Sequence, residues 1–121
     1  DRLAEFEEQL GICVDSAHLF GAGYDLRTPT AVEDTLAQAD SAFGLDRIKV
    51  FHLNDTELEL GSRKDRHARI AKGRLGKEGI ASIVNNEFLR QLPFILETPT
   101  EGPLDYRPQL ELIRELASTD K

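Results

Sequence analysis

What most constrains this chain is a regular alternation. Short apolar runs take turns with helical patterns along its 121 residues. Ile12-Cys13-Val14, Ile48 to Leu53 and Phe94-Ile95-Leu96 have the length and the β-branched or aromatic content of strands. Helix signals stand before, between and after them. Arg2 to Leu10 places Leu3, Phe6 and Leu10 on one face, with Gly11 as a C-terminal cap. Thr28-Pro29 reads as N-cap and first helical residue of a second helix, with Val32, Leu36, Ala39 and Phe43 as its stripe and Gly44 as its stop. A third helix is expected from Lys77 to about Asn86 through Ile80, Ile83 and Val84, with a short helical piece from Glu87 to Gln91. The last is expected from Tyr106 or Pro108 to Ala117, with Leu110, Ile113 and Leu116 or Ala117 inward.

The order α-β-α-β-α-β-α implies an α/β fold of parallel strands joined by helical crossovers, within one domain spanning 1–121. Three strands cannot close a barrel, which takes about eight. Left alone, they expose two sheet edges. The expectation is therefore about three β/α units of a barrel, completed either by further sequence or by another copy of the chain. No methionine occurs in the chain; a piece of a longer protein and removal of an initiator methionine both account for that.

Each expected strand ends in a side chain that can hold a metal: Asp15, His52 and Glu97. Parallel strands bring all three to the same carboxyl edge, where α/β proteins build their sites. A single polar residue at a strand end is ordinarily a cap; three of three favour a site. A second set is His18, Asp65 and His67. Asp15 and His18 lie on one turn out of the first strand, and Asp65 and His67 share a face if their segment is extended. Two imidazoles and a carboxylate leave a coordination position open, a catalytic pattern for zinc that Mn²⁺ and Fe²⁺ also suit. The stretch from Asn54 to about Gly76 shows no period and reads as a long loop, either functional or disordered.

A net charge of −7 argues against a polyanionic partner. Its distribution argues the other way. Arg63, Lys64, Arg66, Arg69, Lys72, Arg74 and Lys77 are crowded into the 61–77 segment with one acid, Asp65. Such an island is either a solvated basic loop or a local phosphate-binding surface. One cysteine, Cys13, excludes an internal disulfide and fits a reducing, cytoplasmic setting. No apolar run approaches the roughly 20 residues that span a bilayer.

Five segments carry a resemblance. They are Cys13-Val14-Asp15-Ser16-Ala17-His18, Ala22-Gly23-Tyr24-Asp25-Leu26-Arg27-Thr28, His52-Leu53-Asn54-Asp55, Gly61-Ser62-Arg63-Lys64-Asp65-Arg66-His67 and Leu96-Glu97-Thr98-Pro99. In this order they resemble the C-terminal part of the endonuclease IV family, the metal-dependent apurinic/apyrimidinic endonucleases of base excision repair. The resemblance implies a TIM (β/α)8 barrel of the xylose isomerase-like type, three zinc ions in the complete enzyme, and double-stranded DNA with abasic sites as substrate. It implies that Asp15, His52 and Glu97 serve one ion, that His18, Asp65 and His67 serve another, and that the remaining ligands come from earlier strands. Mn²⁺ is an alternative ion, and Glu97 is the candidate for proton transfer. Tyr24, Arg27, Arg63, Lys64, Arg66 and Arg69 are the candidate DNA contacts, with packing for Tyr24 and an ion pair for Arg27 as the plain alternatives. A metal-dependent sugar isomerase or epimerase of the same barrel type, and a non-catalytic self-associating fragment, are the competing readings.

Overall fold

The computed structural model describes residues 11–63, 67–99 and 106–118. The helix expected from Arg2 to Leu10 lies outside them, as do Lys64, Asp65 and Arg66. The elements in chain order are β1 (Ile12–Asp15), α1 (Ser16–Gly21), α2 (Pro29–Phe43), β2 (Ile48–His52), β3 (Asp55–Thr56), β4 (His67–Ala68), α3 (Gly76–Val84), β5 (Phe94–Ile95) and α4 (Tyr106–Ser118). β1, β2 and β5 form a parallel sheet in that spatial order. The α/β alternation expected from sequence is therefore present, and each crossover carries a helix.

Register explains the two faces of the sheet. Val14 pairs with Phe51, and Phe51 with Phe94. These three turn toward the helices, where the Phe51 and Phe94 rings meet edge to face at 5.6 Å. They join the core formed by Phe20, Leu26, Val32, Leu53, Ile70, Leu75, Ile80, Ile83, Val84 and Leu89. Burial of such side chains contributes about 1.5–3 kcal/mol each. One residue on, Asp15 pairs with His52 and His52 with Ile95. Side chains alternate along a strand, so this second set lies on the opposite face. Cys13 and Ile95 are exposed there, Ile95 by 46%.

The helix boundaries follow from particular residues. Thr28 caps α2 by accepting the Ala31 N–H at 3.1 Å, with Pro29 opening the helix as the sequence predicts. Gly44 ends it at φ +88°, a conformation that disfavours a side chain. α3 has no side-chain cap of its own. Its first N–H groups are met from β3: Asp55 Oδ1 accepts from Leu75 at 2.8 Å, and Oδ2 from Gly76 at 3.1 Å. Asp55 also accepts from Thr56 at 2.8 Å and Gly73 at 3.0 Å, and it is fully buried. A Cβ on Gly73 would collide with the Thr56 carbonyl and the Asp55 carboxylate, so only glycine fits this turn.

Several expectations are corrected. The stretch after Asp15 is a helix, α1, because Asp15 itself caps it and Ala17 and Phe20 are buried. The expected structureless loop from Asn54 to Gly76 contains an antiparallel pair, β3 with β4, too short to show a period. α3 ends at Val84 rather than Asn86, and the short helical piece covers Leu89–Gln91. In α4 the inward face carries Gln109, Leu112, Ile113 and Leu116, while Leu110 is 43% exposed and Ala117 is exposed too. Phe43, the last residue of the α2 stripe, is 39% exposed. Among the described residues, no helix is long and apolar enough to cross a membrane.

Candidate metal centre

Asp15 and His52 are paired at the ends of β1 and β2, Glu97 follows two residues beyond the end of β5, where Ile95 rather than Glu97 pairs with His52, and the β3–β4 pair delivers His67 to the same place. His52 Nδ1 is 2.9 Å from Glu97 Oε1 and 4.0 Å from Asp15 Oδ2. His67 Nε2 is 3.5 Å from that same Asp15 oxygen. The ligand atoms of Asp15, His67 and Glu97 all lie within 4.8 Å of one another. Asp15 Oδ2 is therefore the point at which the two expected ligand sets meet. Asp15, His52 and His67 are mostly buried, whereas the Glu97 side chain is 49% exposed.

The chemistry of the donors fits a cation. His67 Nδ1 lies 3.1 Å from the Glu97 carbonyl oxygen, which can only accept, so Nδ1 carries the proton. In a neutral ring the Nε2 lone pair then faces a carboxylate oxygen. That arrangement becomes attractive when the ring is protonated or a cation lies between. Tetrahedral bonds of about 2.0–2.1 Å put neighbouring ligand atoms roughly 3.3 Å apart. Within the Asp15, His52 and Glu97 set the separations from His52, 2.9 Å to Glu97 and 4.0 Å to Asp15, lie on either side of that value, and the 3.5 Å between Asp15 and His67 joins the two expected sets. The nearby Cys13 thiol is pushed up first by desolvation, and then by the charges of Asp15 and Glu97.

His18 is placed differently. Its side chain is exposed on α1, and the group it brings to the cluster is its backbone N–H, on Asp15 Oδ1 at 3.1 Å. Asp65 lies outside the described residues, so the set His18, Asp65 and His67 is seen only through His67 and the position of α1.

Two polar residues inside the quoted His52-Leu53-Asn54-Asp55 segment received no role from sequence. Asn54 and Asp55 are both fully buried. Alternation would have separated them, since Asn54 continues the His52 face and Asp55 the Phe51 and Leu53 face.

Of the candidate nucleic-acid contacts, Tyr24, Arg27, Arg63 and Arg69 lie among the described residues. Tyr24 is 38% exposed. Arg27 is held by Asp25, Nε to Oδ1 at 2.9 Å and a second bond at 3.0 Å, and its guanidinium carbon lies 5.3 Å from the Phe20 ring centre. Arg63 is exposed, with a left-handed backbone at φ +61°, and its N–H donates to the Gly21 carbonyl at 2.8 Å. Together with the Gly61 N–H on the Phe20 carbonyl at 2.9 Å, this seats the loop on the end of α1. Arg69 is half-buried, its Nη1 3.4 Å from the Pro99 carbonyl.

Comparison with known proteins gives a consistent picture. The model of the xylose isomerase-like TIM barrel family matches residues 2–117. A probable endonuclease 4 of Moorella thermoacetica is 50% identical over 111 residues, covering 92% of this chain and 40% of that protein. The probable endonuclease 4 of Chloroflexus aurantiacus is 47% identical over 115 residues, again 40% of its length. The crystal structure of endonuclease IV from Thermus thermophilus superposes with a TM-score of 0.78 at 35% identity, over 91% of this chain and 39% of that one. The chain thus spans about 40% of the length of the curated relatives it matches.

Proposed function

The chain belongs to the xylose isomerase-like TIM barrel family, and from that premise we propose that it forms three β/α units of a zinc-dependent endonuclease that cuts DNA on the 5′ side of abasic sites. The observation that carries this reading is the convergence of Asp15, His52, His67 and Glu97 on one sheet edge, in a chain whose relatives are named endonuclease 4. Strands from outside this sequence cover the exposed Cys13 and Ile95 face and supply the remaining ligands. Asp15, His52 and Glu97 hold one ion; His67, with His18 and Asp65, holds a second. Bound divalent ions of this kind activate water and offset charge on the phosphate and the leaving oxygen.

The chain's own groups have separable tasks. The Asp15 carboxylate lies between the two imidazoles and neutralises part of the charge gathered there. The half-exposed Glu97 carboxylate is our candidate to take a proton from water, a role its exposure supports. Arg63, Lys64, Arg66 and Arg69 engage backbone phosphates, which gives affinity without base sequence. Tyr24 and Arg27 lie on the loop that follows α1, the helix on which the Arg63 loop is seated, with Arg27 held by Asp25.

The test is incision of a duplex carrying one abasic site by the full-length protein that contains this sequence. His67→Ala is expected to abolish incision, because it reduces a three-ligand set to two. Wild-type incision by that variant at ordinary zinc concentrations contradicts the assignment. A ketose isomerised by the same protein, with the abasic duplex left intact, would establish the sugar-isomerase alternative.

A further inference from the structure

We propose that Asn54 is a positioning residue of the metal centre: its side-chain amide, at the exit of β2, orients the Asp15 carboxylate and anchors the Glu97 backbone at the same time. The inference rests on the metal-binding reading given above. Asn54 is fully buried, so its polar atoms must be satisfied inside the protein. The Glu97 backbone N–H can only donate, and it meets one end of the amide at 2.7 Å; that end is Oδ1. The other end is then the NH2 group, which donates to Asp15 Oδ2 at 3.0 Å. This is the oxygen that faces both His52 and His67.

The second Asp15 oxygen is held as well, since Oδ1 accepts the His18 N–H at the start of α1. With both oxygens engaged, the carboxylate plane is set from two directions. The NH2 group takes one lone-pair direction of Oδ2 and leaves another open toward the imidazoles. Ser16 then fixes Asn54 itself. Its hydroxyl accepts the Asn54 N–H at 2.8 Å and donates to the Asn54 carbonyl at 2.6 Å. The exits of β1, β2 and β5 are thereby tied through one side chain. An amide suits this place because it offers a donor and an acceptor at fixed separation; a carboxylate would present only acceptors to Asp15.

The test uses cobalt(II) as the probe ion in the full-length protein. Affinity is read by chelator competition and ligand geometry by the visible absorption of bound cobalt. Asn54→Leu, close in shape but without hydrogen bonds, is expected to weaken cobalt binding ~10- to 100-fold, the usual cost of losing a group that orients a ligand, and to change the absorption band. Asn54→Ser serves if the leucine variant does not fold. Thr35→Val controls for loss of stability, because Thr35 is a buried hydroxyl bonded to the Asp25 carbonyl on α2, apart from the cluster. It is expected to leave affinity and spectrum unchanged. Wild-type affinity and spectrum in the folded Asn54 variant overturn the positioning role and leave the metal centre standing. Failure of the unmodified protein to take up cobalt overturns both.

Discussion

At the scale of single residues, the buried polar groups decide most. Asp55 meets four backbone N–H groups with its two oxygens. Asp55→Asn turns one of those oxygens into a donor facing other donors. We expect a loss of about 2–4 kcal/mol, the scale of breaking a buried charge-assisted network, read as a lower urea midpoint at unchanged slope. A midpoint equal to wild type would show that the network is dispensable. Asp25 supplies a pH signature. The hydrogen bonds from the Arg27 side chain hold its carboxyl below the ordinary value of 3.8. A carboxyl lowered in the folded state contributes stability above its unfolded pKa, and that contribution is lost as pH falls through the folded value. Asp25→Asn is therefore expected to flatten the acid limb below about pH 4, and only slightly, because the pair is largely exposed to solvent. Identical acid limbs in the two proteins would remove Asp25 from the account.

At the scale of elements, local signals were legible wherever one residue sufficed to specify a boundary. Thr28, Pro29 and Gly44 delimit α2 as the sequence predicts, because capping is a short-range interaction between near neighbours. Thr28→Ala is expected to cost about 1 kcal/mol in thermal or urea denaturation; no measurable change would mean that the helix start is held by packing instead. Other elements depend on distant partners and left no local mark. α3 takes its cap from Asp55, 20 positions before Leu75 in sequence. β3 and β4 are two residues each and exist through pairing and burial rather than through period. α1 was hidden by its length, six residues, and by a cap that doubles as a candidate metal ligand. Leu110 fits an amphipathic stripe with Ile113 and Leu116 yet is exposed in α4, because the buried Gln109, bonded to the Ile70 N–H at 2.9 Å and the Thr98 hydroxyl at 2.7 Å, turns another face inward.

At the scale of the whole molecule, the parallel register turns three separate strand ends into one edge. This much of the site was legible, since a common strand direction pairs Asp15 with His52 and alternation puts Glu97, two residues past β5, on the face of Ile95, the partner of His52. The meeting of His67 with Asp15 Oδ2 was not, because it depends on the pairing of β4 with β3, two strands too short to show a period. The 57–66 segment lies between them. That segment also carries Arg63, Lys64 and Arg66. Neutralising these three is expected to weaken DNA binding and to flatten its dependence on salt, as fewer counterions are released; an unchanged salt slope would place the DNA elsewhere. The central claim is that the edge of this sheet forms part of a metal centre that cuts abasic DNA. Metal content per protein by mass spectrometry, measured alongside incision before and after EDTA, tests it most directly. The account predicts stoichiometric zinc and incision that disappear together on chelation and return together when zinc is restored. Full incision by protein stripped of metal would contradict it.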